Sequence, residues 1–456
     1  MSAQKPAPTK TRRARAVAAV ALSVLGSVTA ARANPIDAFG WGARAPALGN
    51  AYAAVADDSA ASYYNPAGLA RAPGLRIDLG YQAALPELDV SGTRQELFNT
   101  SGLAAGLVLP GQIRSVRFAI GVQLFLPDLH VTRIHVLQHD RPRLALYDNR
   151  TQRLYLAANL ALRIVPGLYV GGGLAFMSRS DGTAQLRGTL AVSDPQQSQL
   201  ESAISQDLFA VRYPQVGALW EVTENLSVAL VYRHRFLLDL VQRFDINADV
   251  QDPGRPPLLL NGKLRETAFS VDLFQPWQLV LGLAGRWRRV LLSFDLTYAR
   301  WREQPPPAST FNLDLDIGEL GNAVEIPQPK PYPDPGFFDL LIPAVGLEAR
   351  VIEGAAGGRL ALDVRGGYRY EASPVPAQLG ESSFGDADKH TVSAGLGVEL
   401  RRLGQVLPGP VSLDVFFAGT VLPRRTFLKA DPRSAVGDFT VGGVVWQVGG
   451  QTRWVF

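Results

Sequence analysis

The chain has 456 residues, and 45 basic against 41 acidic residues leave a formal net charge of +4. The absence of cysteine excludes a disulfide framework, and the near balance of charge, with no block of like charge, gives no sign of a nucleic-acid partner. The length permits either several soluble domains or one large β-barrel.

Residues 1–33 have the pattern of a bacterial secretory signal peptide. A basic stretch from Lys10 to Arg15 precedes an apolar run from Ala16 to Ala30, and Ala31-Arg32-Ala33 forms an A-x-A cleavage site. The apolar run is shorter than the roughly 20 residues that a membrane-spanning helix needs. We therefore predict cleavage after Ala33, which gives a mature chain that begins at Asn34, outside the cytoplasm.

The next segment, residues 34–72, lacks the alternation of a strand and is rich in alanine. Asp57 and Asp58 are suitable caps for a short helix. Asn65-Pro66 interrupts the segment, because proline moves the residue before it out of helical space. The aromatic residues of the segment argue against a disordered tail. We therefore predict a compact, partly helical unit that is distinct from the rest of the chain.

Residues 73–456 read as a series of β-strands. In one of them, Leu292, Phe294 and Leu296 alternate with Ser293 and Asp295, so that one face is apolar and the other is polar. Fourteen such segments start near Gly74, Gly102, Ser115, Thr151, Gly167, Asp207, Asn225, Glu266, Arg289, Phe337, Gly358, Asp388, Pro410 and Gly437. Short connections alternate with long ones, as periplasmic turns and extracellular loops do in outer-membrane barrels.

The carboxyl-terminal strand also favours an outer-membrane barrel over the alternative, a soluble β-sandwich. It carries Trp446, Trp454 and Phe456 at even positions, which resembles the sorting signal of such barrels. We therefore predict an all-β fold, a 14-stranded antiparallel transmembrane β-barrel formed by residues 73–456. A barrel of this width leaves a lumen that its own side chains do not fill. We expect residues 34–72 to lie in that lumen as a plug.

Two apolar stretches lie in the expected extracellular loops. Residues 193–208 have the period of an amphipathic helix, and the next loop contains an apolar run. The candidate capture residues are Leu200, Ile204, Leu208, Leu258, Leu259 and Leu260. They could form a landing groove for a fatty chain, or the two loops could simply pack on each other and close the top of the barrel.

The polar strand faces place several charges in the expected lumen. Arg233, Arg365 and Arg369 are candidates for binding a substrate carboxylate, although pairing with acidic neighbours is the alternative. His130, His135 and His139 share one expected loop, but their spacing fits no standard zinc site. We therefore expect neither a metal nor a cofactor.

Enzyme motifs are absent from the sequence: it contains no G-x-S-x-G, H-E-x-x-H or phosphate-binding loop. We therefore expect no enzymatic activity. An outer-membrane lipase, which needs only a serine and a histidine brought together in space, is the alternative from a different functional class. An open, unselective porin is disfavoured, because such a channel has no use for a plug.

One known family matches several stretches at once. Gly40 to Arg71, GWGARAPALGNAYAAVADDSAASYYNPAGLAR, resembles the amino-terminal hatch of the FadL family (OMPP1/FadL/TodX), which transports long-chain fatty acids and aromatic hydrocarbons across the outer membrane. Within it, RA-x-x-x-G, ADD-x-x-A and Asn65-Pro66-Ala67 agree with the family. LGLAGRWRRVLLSFDLTYARW, GYRYEASPVP and DADKHTVSAGLG resemble later strands and loops, so that the resemblance extends from residue 40 to residue 397.

The resemblance implies a plugged barrel that takes up an apolar substrate passively, with ligand-triggered movement of the hatch. It implies gating by Asn65, Pro66, Ala67 and Gly68, and a possible lateral exit through a kink in the third barrel strand. Gly121 is the kink candidate there, and Pro214 in the sixth strand is the other. We expect long-chain fatty acids as substrates, with aromatic hydrocarbons as the alternative.

The resemblance also implies the surroundings of the protein. We expect a monomer in the bacterial outer-membrane bilayer, inserted by the barrel-assembly machinery. The partners are then lipid and a hydrophobic small-molecule ligand.

Overall fold

The computed structural model describes residues 39–97, 99–128, 141–144, 146–147, 153–191, 196, 198–251, 260–305, 310–316, 334–380, 382–401 and 409–456. The expected signal peptide, the loop histidines His130, His135 and His139, and Leu258 and Leu259 lie outside these ranges. No helix in the described part of the chain is long and apolar enough to cross a membrane.

Strands make up most of the described chain. They are β1 Arg76–Val90, β2 Thr93–Arg94, β3 Thr100–Ile113, β4 Val116–Pro127, β5 Tyr155–Val165, β6 Leu168–Ala191, β7 Gln199–Thr223, β8 Leu226–Arg233, β9 Phe236–Gln251, β10 Leu260–Gln275, β11 Gln278–Trp287, β12 Val290–Ala299, β13 Thr310–Asp316, β14 Leu340–Gly354, β15 Leu360–Glu371, β16 Lys389–Leu400, β17 Val411–Phe427 and β18 Phe439–Val455. The helices are single turns: α1 Arg44–Ala47, α2 Ala61–Tyr64 and α3 Ala355–Gly358, with 3₁₀ turns at Pro66–Arg71 and Trp301–Glu303.

Fourteen of these strands close into an antiparallel barrel, as predicted. The ladders run in the order β1, β3, β4, β5, β6, β7, β8, β11, β12, β14, β15, β16, β17 and β18. β18 then pairs with β1 from Arg76↔Val455 to Val90↔Val441, which closes the ring. Closure satisfies every strand edge of the wall, as a membrane requires.

The wall is apolar outside and polar inside. In β12, Leu292 and Phe294 are 52% and 39% exposed, whereas Ser293 and Asp295 are buried. A soluble sandwich would bury the apolar face instead. The ring centroids of Tyr232 and Trp277 are 6.1 Å apart, and those of Trp277 and Tyr298 are 5.2 Å apart. These side chains lie around the outer end of the wall, as an aromatic girdle does.

The sequence also predicts long outer loops over residues 181–206 and 242–263, and this prediction is wrong for their described parts, which are largely strands. The outer part of β6 pairs with β7 on one edge and, in parallel, with β9 on the other. β9 pairs with β10, and β10 pairs with β13. An extension of five strands, in the order β7, β6, β9, β10 and β13, therefore stands above the barrel.

The predicted helix over residues 193–208 is wrong for its described part. Gln199–Leu208 belongs to β7 and pairs with β6 from Thr189↔Gln199 to Ser180↔Leu208. The physical reason is that Leu200, Ile204 and Leu208 are spaced by four residues, which places them on one face of a helix and equally on one face of a strand. The backbone hydrogen bonds that β6 offers decide between the two.

Candidate functional site in the barrel lumen

Residues Phe39–Ala72, called the N-terminal segment below, lie inside the barrel. The segment contacts strands on all sides of the ring: Gln451 of β18, Ser393 of β16, Glu348 of β14 and Asn159 of β5 each hydrogen-bond to it. Nearly all of its residues are buried. The prediction that the chain before β1 packs in the lumen agrees with this placement.

Small wall residues allow the segment to approach the strands closely. A Cβ atom built at Gly171 would lie 2.5 Å from the Pro66 carbonyl carbon, and one at Gly217 would lie 2.1 Å from Asn65 Oδ1. At Gly367 it would lie 2.0 Å from the Gly49 nitrogen. A larger side chain at any of these positions would push the segment away, so glycines on the inner face are the sequence signal of the packing.

A buried network of ion pairs joins the first half of the segment to the wall. Arg44 Nε and Nη2 donate to the two carboxylate oxygens of Glu348 at 2.7 and 2.9 Å, and its Nη1 donates to Asp57 at 2.7 Å. Glu348 also accepts from Arg365 at 2.7 Å. On the neighbouring side, Arg453 pairs with Asp58.

Asp57 is ionised in this network. Burial alone would raise the pKa of its carboxyl group, but the guanidinium groups of Arg44 and Arg71 outweigh that effect and hold the pKa well below its usual range. A carboxylate that several arginines stabilise in this way keeps the first half of the segment bound to the wall by charge.

The Asn65-Pro66 break is fixed by hydrogen bonds of the Asn65 side chain. Its Oδ1 accepts from Ala67 N at 3.1 Å, which caps the 3₁₀ turn, and its Nδ2 donates to the carbonyls of Ala53 and Ala218 at 2.9 and 3.2 Å. Asn65 thus connects the two halves of the segment and the wall. Gly68 packs on Ala56, where an added Cβ would lie 2.0 Å from the carbonyl oxygen.

A polar cavity of about 50 Å³ lies between the segment and the wall. Tyr63 and Tyr64 line it from the segment, and Arg233, Asp295 and Arg369 line it from the strands. The cavity thus carries two guanidinium groups and one carboxylate. Its volume suits a carboxylate group or a few waters and lies far below the roughly 300 Å³ of a small-ligand site.

The three arginines proposed for a carboxylate differ in their surroundings. Arg365 is outside this cavity and is neutralised by Glu348, Asp414 and Asp363 at 2.7, 2.5 and 3.7 Å. Glu348 is on the neighbouring strand β14, Asp414 is on β17, two strands away, and Asp363 is on the same strand, a combination that sequence periodicity could not reveal. These ion pairs leave the Arg365 guanidinium group unavailable for a substrate carboxylate.

Arg233 and Arg369 both line the cavity. Arg233 donates to Gln278 Oε1 and to the Tyr63 carbonyl, each at 3.1 Å, and lies over the Tyr63 ring at 4.7 Å. It forms no ion pair with a residue that the structure describes. Arg369 pairs with Glu371 at 2.7 Å, and Glu371 is also held by Lys389 at 3.3 Å.

The two candidates for a break in the wall behave differently. Both ladders of β4 pass through Gly121 without a register shift, and its lack of a side chain instead admits Leu69, whose methyl carbon would lie 2.6 Å from an added Cβ. Pro214 lies where the β7–β8 ladder ends. Its carbonyl accepts from His234 N at 3.0 Å, but proline has no N–H to continue the ladder.

The capture residues are only partly brought together. Ile204 and Leu208 are exposed on β7, by 79% and 65%. Leu200 lies on β7 and Leu260 on β10, and β6 and β9 separate them, which at about 4.8 Å per strand is roughly 14 Å. A groove between the two leucine runs is therefore not formed by their described parts.

The described histidines do not support a lipase. His234 Nδ1 is hydrogen-bonded to the Tyr232 hydroxyl at 2.7 Å, and His390 Nδ1 to the Tyr368 hydroxyl at 2.8 Å. Both pairs lie at the outer end of the wall, away from the lumen. The remaining histidines are outside the described residues.

Residues 21–252, about half of the chain, match the family model described as "Outer membrane protein transport protein (OMPP1/FadL/TodX)". The chain belongs to this family. Its members are outer-membrane β-barrels that transport hydrophobic compounds, and the family is one of transporters and channels rather than enzymes. A search of curated proteins finds no match.

Three solved structures have the same fold. A FadL homologue from Pseudomonas aeruginosa is 15% identical and matches 94% of this chain and 100% of its own, with a TM-score of 0.55. The toluene transporter TodX of P. putida is 14% identical and matches 92% of this chain and 99% of its own, with a TM-score of 0.51. The monoaromatic hydrocarbon channel CymD is 14% identical and matches 91% of this chain and 97% of its own, with a TM-score of 0.52.

The residues that anchor the segment could not be identified from the sequence. Asp295 accepts from the backbone nitrogens of Tyr52 and Ala53 at 2.9 Å each, and Asn159 and Gln215 both donate to the Ser62 carbonyl. The strand alternation places Asn159, Gln215 and Asp295 on the inner face of the wall, which indicates that they lie in the lumen. The identity of their partners depends on where the segment folds.

Proposed function

We propose that this protein takes up long-chain fatty acids passively across the outer membrane. The observation that carries the proposal is the cavity beside Tyr63 and Tyr64, where Arg233 and Arg369 face one carboxylate, Asp295. An excess of guanidinium groups in a buried polar cavity favours a ligand with a carboxylate. A hydrocarbon gains nothing from these groups. Arg369 would keep its ion pair with Glu371, but Arg233, which forms no ion pair with a described residue, would stay desolvated without a counter-ion.

The size of the cavity supports a role for the N-terminal segment in gating. About 50 Å³ holds a carboxylate but no acyl chain, so a bound fatty acid requires the segment to move. Binding energy can drive this movement only if the ligand prefers the displaced arrangement. Asn65, Pro66, Ala67 and Gly68, which form the break beside the cavity, are the residues proposed to change conformation.

Aromatic hydrocarbons are the second candidate substrate. Two of the three structures with the same fold are described as a toluene transporter and a monoaromatic hydrocarbon channel. Tyr63 and Tyr64 place aromatic rings 5.0 Å apart at the cavity, which a monoaromatic ligand could stack on.

The discriminating experiment compares uptake of labelled oleate and labelled toluene by a bacterial strain that lacks its own transporters for both. Arg369→Gln is the sharpest variant, because Lys389 keeps Glu371 paired when Arg369 is lost. We expect the apparent KM for oleate to rise about tenfold or more, since a hydrogen bond to a charged group is lost, while toluene uptake is unchanged.

Arg359→Gln is the matched control, because Arg359 is exposed at a periplasmic turn. It should leave uptake of both compounds unchanged. Uptake of toluene without oleate by the wild-type protein would assign it to the hydrocarbon carriers instead.

A further inference from the structure

Two periplasmic hairpins carry an arginine where the backbone favours glycine. The β3–β4 turn spans residues 113–116 and the β11–β12 turn spans residues 287–290, with two central residues each, and we call them the arginine turns. Their first central residues, Arg114 and Arg288, have φ angles of 54° and 49°. Glycine avoids the strain of this left-handed conformation, as Gly167 does in the β5–β6 turn. A strained arginine in a tight turn points to a function of its side chain.

Exposed apolar side chains flank both arginine turns. Ile113 and Trp287 are 67% and 79% exposed, and Val116 and Val290, which pair with them, are also exposed. The alternation of the strands directs all four side chains out of the barrel, towards lipid. Tryptophan is enriched at the level of the lipid headgroups. The arginine turns therefore lie at the boundary between the acyl chains and the periplasm.

The cations of the arginine turns lack a counter-ion in the described part of the chain. Arg114, Arg288 and the adjacent Arg289 are all exposed, and none of them forms an ion pair with an acidic residue of the described ranges. The Gln112 side chain donates to the Arg114 carbonyl at 2.8 Å, which holds the backbone of the turn but not the guanidinium group. The three guanidinium groups are thus available to a partner outside the protein.

The acidic residues that share a cavity with Arg288 and Arg289 are already paired. This cavity opens on the periplasmic side, measures about 470 Å³ and is also lined by Arg44 and Arg350. Its acidic lining residues bind Arg44, Arg350 or Arg365, and they are Asp57, Glu348, Glu353, Asp363, Glu399 and Asp414. An anion from outside the protein is therefore the available partner for the β11–β12 turn.

The two arginine turns lie on nearly opposite sides of the barrel. Four strands, β5, β6, β7 and β8, separate them along one side of the ring, and six strands separate them along the other. Anchors at the membrane interface set the tilt of a membrane protein. Two contacts on opposite sides would therefore fix both the depth and the tilt of the barrel, which a single contact would not.

We propose that the arginine turns bind the phosphate groups of anionic phospholipids in the periplasmic leaflet of the outer membrane. A guanidinium group donates two parallel hydrogen bonds to a phosphate, which an ammonium group cannot do. The exposed apolar residues beside each turn lie against the acyl chains, so that one lipid contacts both parts of the hairpin. The bound lipids hold the barrel at two sides. This proposal does not depend on which compound the protein transports.

Replacing the two strained arginines with glycine tests the proposal. Arg114→Gly with Arg288→Gly removes both cations and also the strain in both turns, so this glycine variant should fold normally. The measurement is the temperature at which the folded band is lost on a gel, for protein in dodecyl maltoside micelles with or without phosphatidylglycerol. Without lipid, the glycine variant should unfold at the wild-type temperature or above it. A lower temperature would mean that the arginines stabilise the turns themselves, which would count against the proposal.

The matched control is Arg424→Gln with Arg433→Gln. It removes two cations from the outer end of the barrel, where these arginine side chains are 70% and 90% exposed. The control and the glycine variant therefore have the same net charge, and only the glycine variant lacks the cations of the periplasmic turns.

We expect phosphatidylglycerol to raise the unfolding temperature of the wild type and of the control by about 3 °C or more, and that of the glycine variant by less than half as much. Phosphatidylcholine, whose headgroup is neutral, should give less than half of the wild-type shift. No shift in the wild type, or an equal shift in the glycine variant, would overturn the proposal. Equal shifts with the two lipids would overturn the preference for anionic lipid. An equal shift with sodium phosphate in place of lipid would show a site for a free anion instead.

Discussion

Replacing Arg44 with glutamine should undock the N-terminal segment from the wall. Arg44 is almost fully buried and donates two hydrogen bonds to Glu348 and one to Asp57. Without it, Glu348 keeps only Arg365 as a charged partner. Removing one member of a buried ion pair costs about 3–5 kcal/mol, which changes the ratio of docked to undocked segment by roughly two to three and a half orders of magnitude.

The consequence is measurable as leakage. We expect single-channel conductance in planar bilayers, and swelling of liposomes in small sugars, to rise clearly above the wild-type level. Arg350→Gln is the matched control: Arg350 lines the same periplasmic cavity, but its partners Asp363, Glu353 and Glu399 all belong to the wall. If both variants are as tight as the wild type, charge does not hold the segment in place and the reasoning is refuted.

Three further outcomes are expected. Asn65→Ala removes the hydrogen bonds to Ala53, Ala67 and Ala218, and it should slow uptake of apolar substrate while barrel assembly and sugar permeability stay normal. Asn225→Ala at a periplasmic turn is the control. Equal uptake by the two variants would argue against gating at the Asn65-Pro66 break. Mass spectrometry of the membrane-inserted protein should give a mature terminus at Asn34, and an intact Met1 would contradict the signal peptide. On a gel, the unboiled protein should migrate differently from the boiled protein, because a closed barrel has no free edge from which to unfold; an unshifted band would oppose the barrel.

The barrel could be predicted from the sequence because its physical cause is local. Each strand of the wall separates lipid from lumen, so residues such as Leu292 and Ser293 must alternate whatever their neighbours are. The extension above the barrel could not be predicted in the same way. The leucine spacing of residues 200–208 fits both a helix and a strand, and only pairing with β6 decides between them.

The candidate site was predictable in part. The inward positions of Arg233, Arg365 and Arg369 follow from the strand period, but their availability does not. Arg365 on β15 is neutralised by Glu348 on the adjacent strand β14 and by Asp414 on β17, two strands away in the closed ring. The role of inner-face glycines such as Gly171 likewise becomes visible only when the N-terminal segment is folded against them.

The central claim is that the N-terminal segment closes the lumen of a barrel that would otherwise conduct. Deletion of residues 34–70 tests it most directly, since Arg71 and the β1 strand that follows remain. The deleted protein should still insert, migrate as a heat-modifiable barrel and conduct small hydrophilic solutes at a level that wild-type protein does not approach. A deleted barrel that inserts normally and stays as tight as the wild type would show that these residues are not a plug.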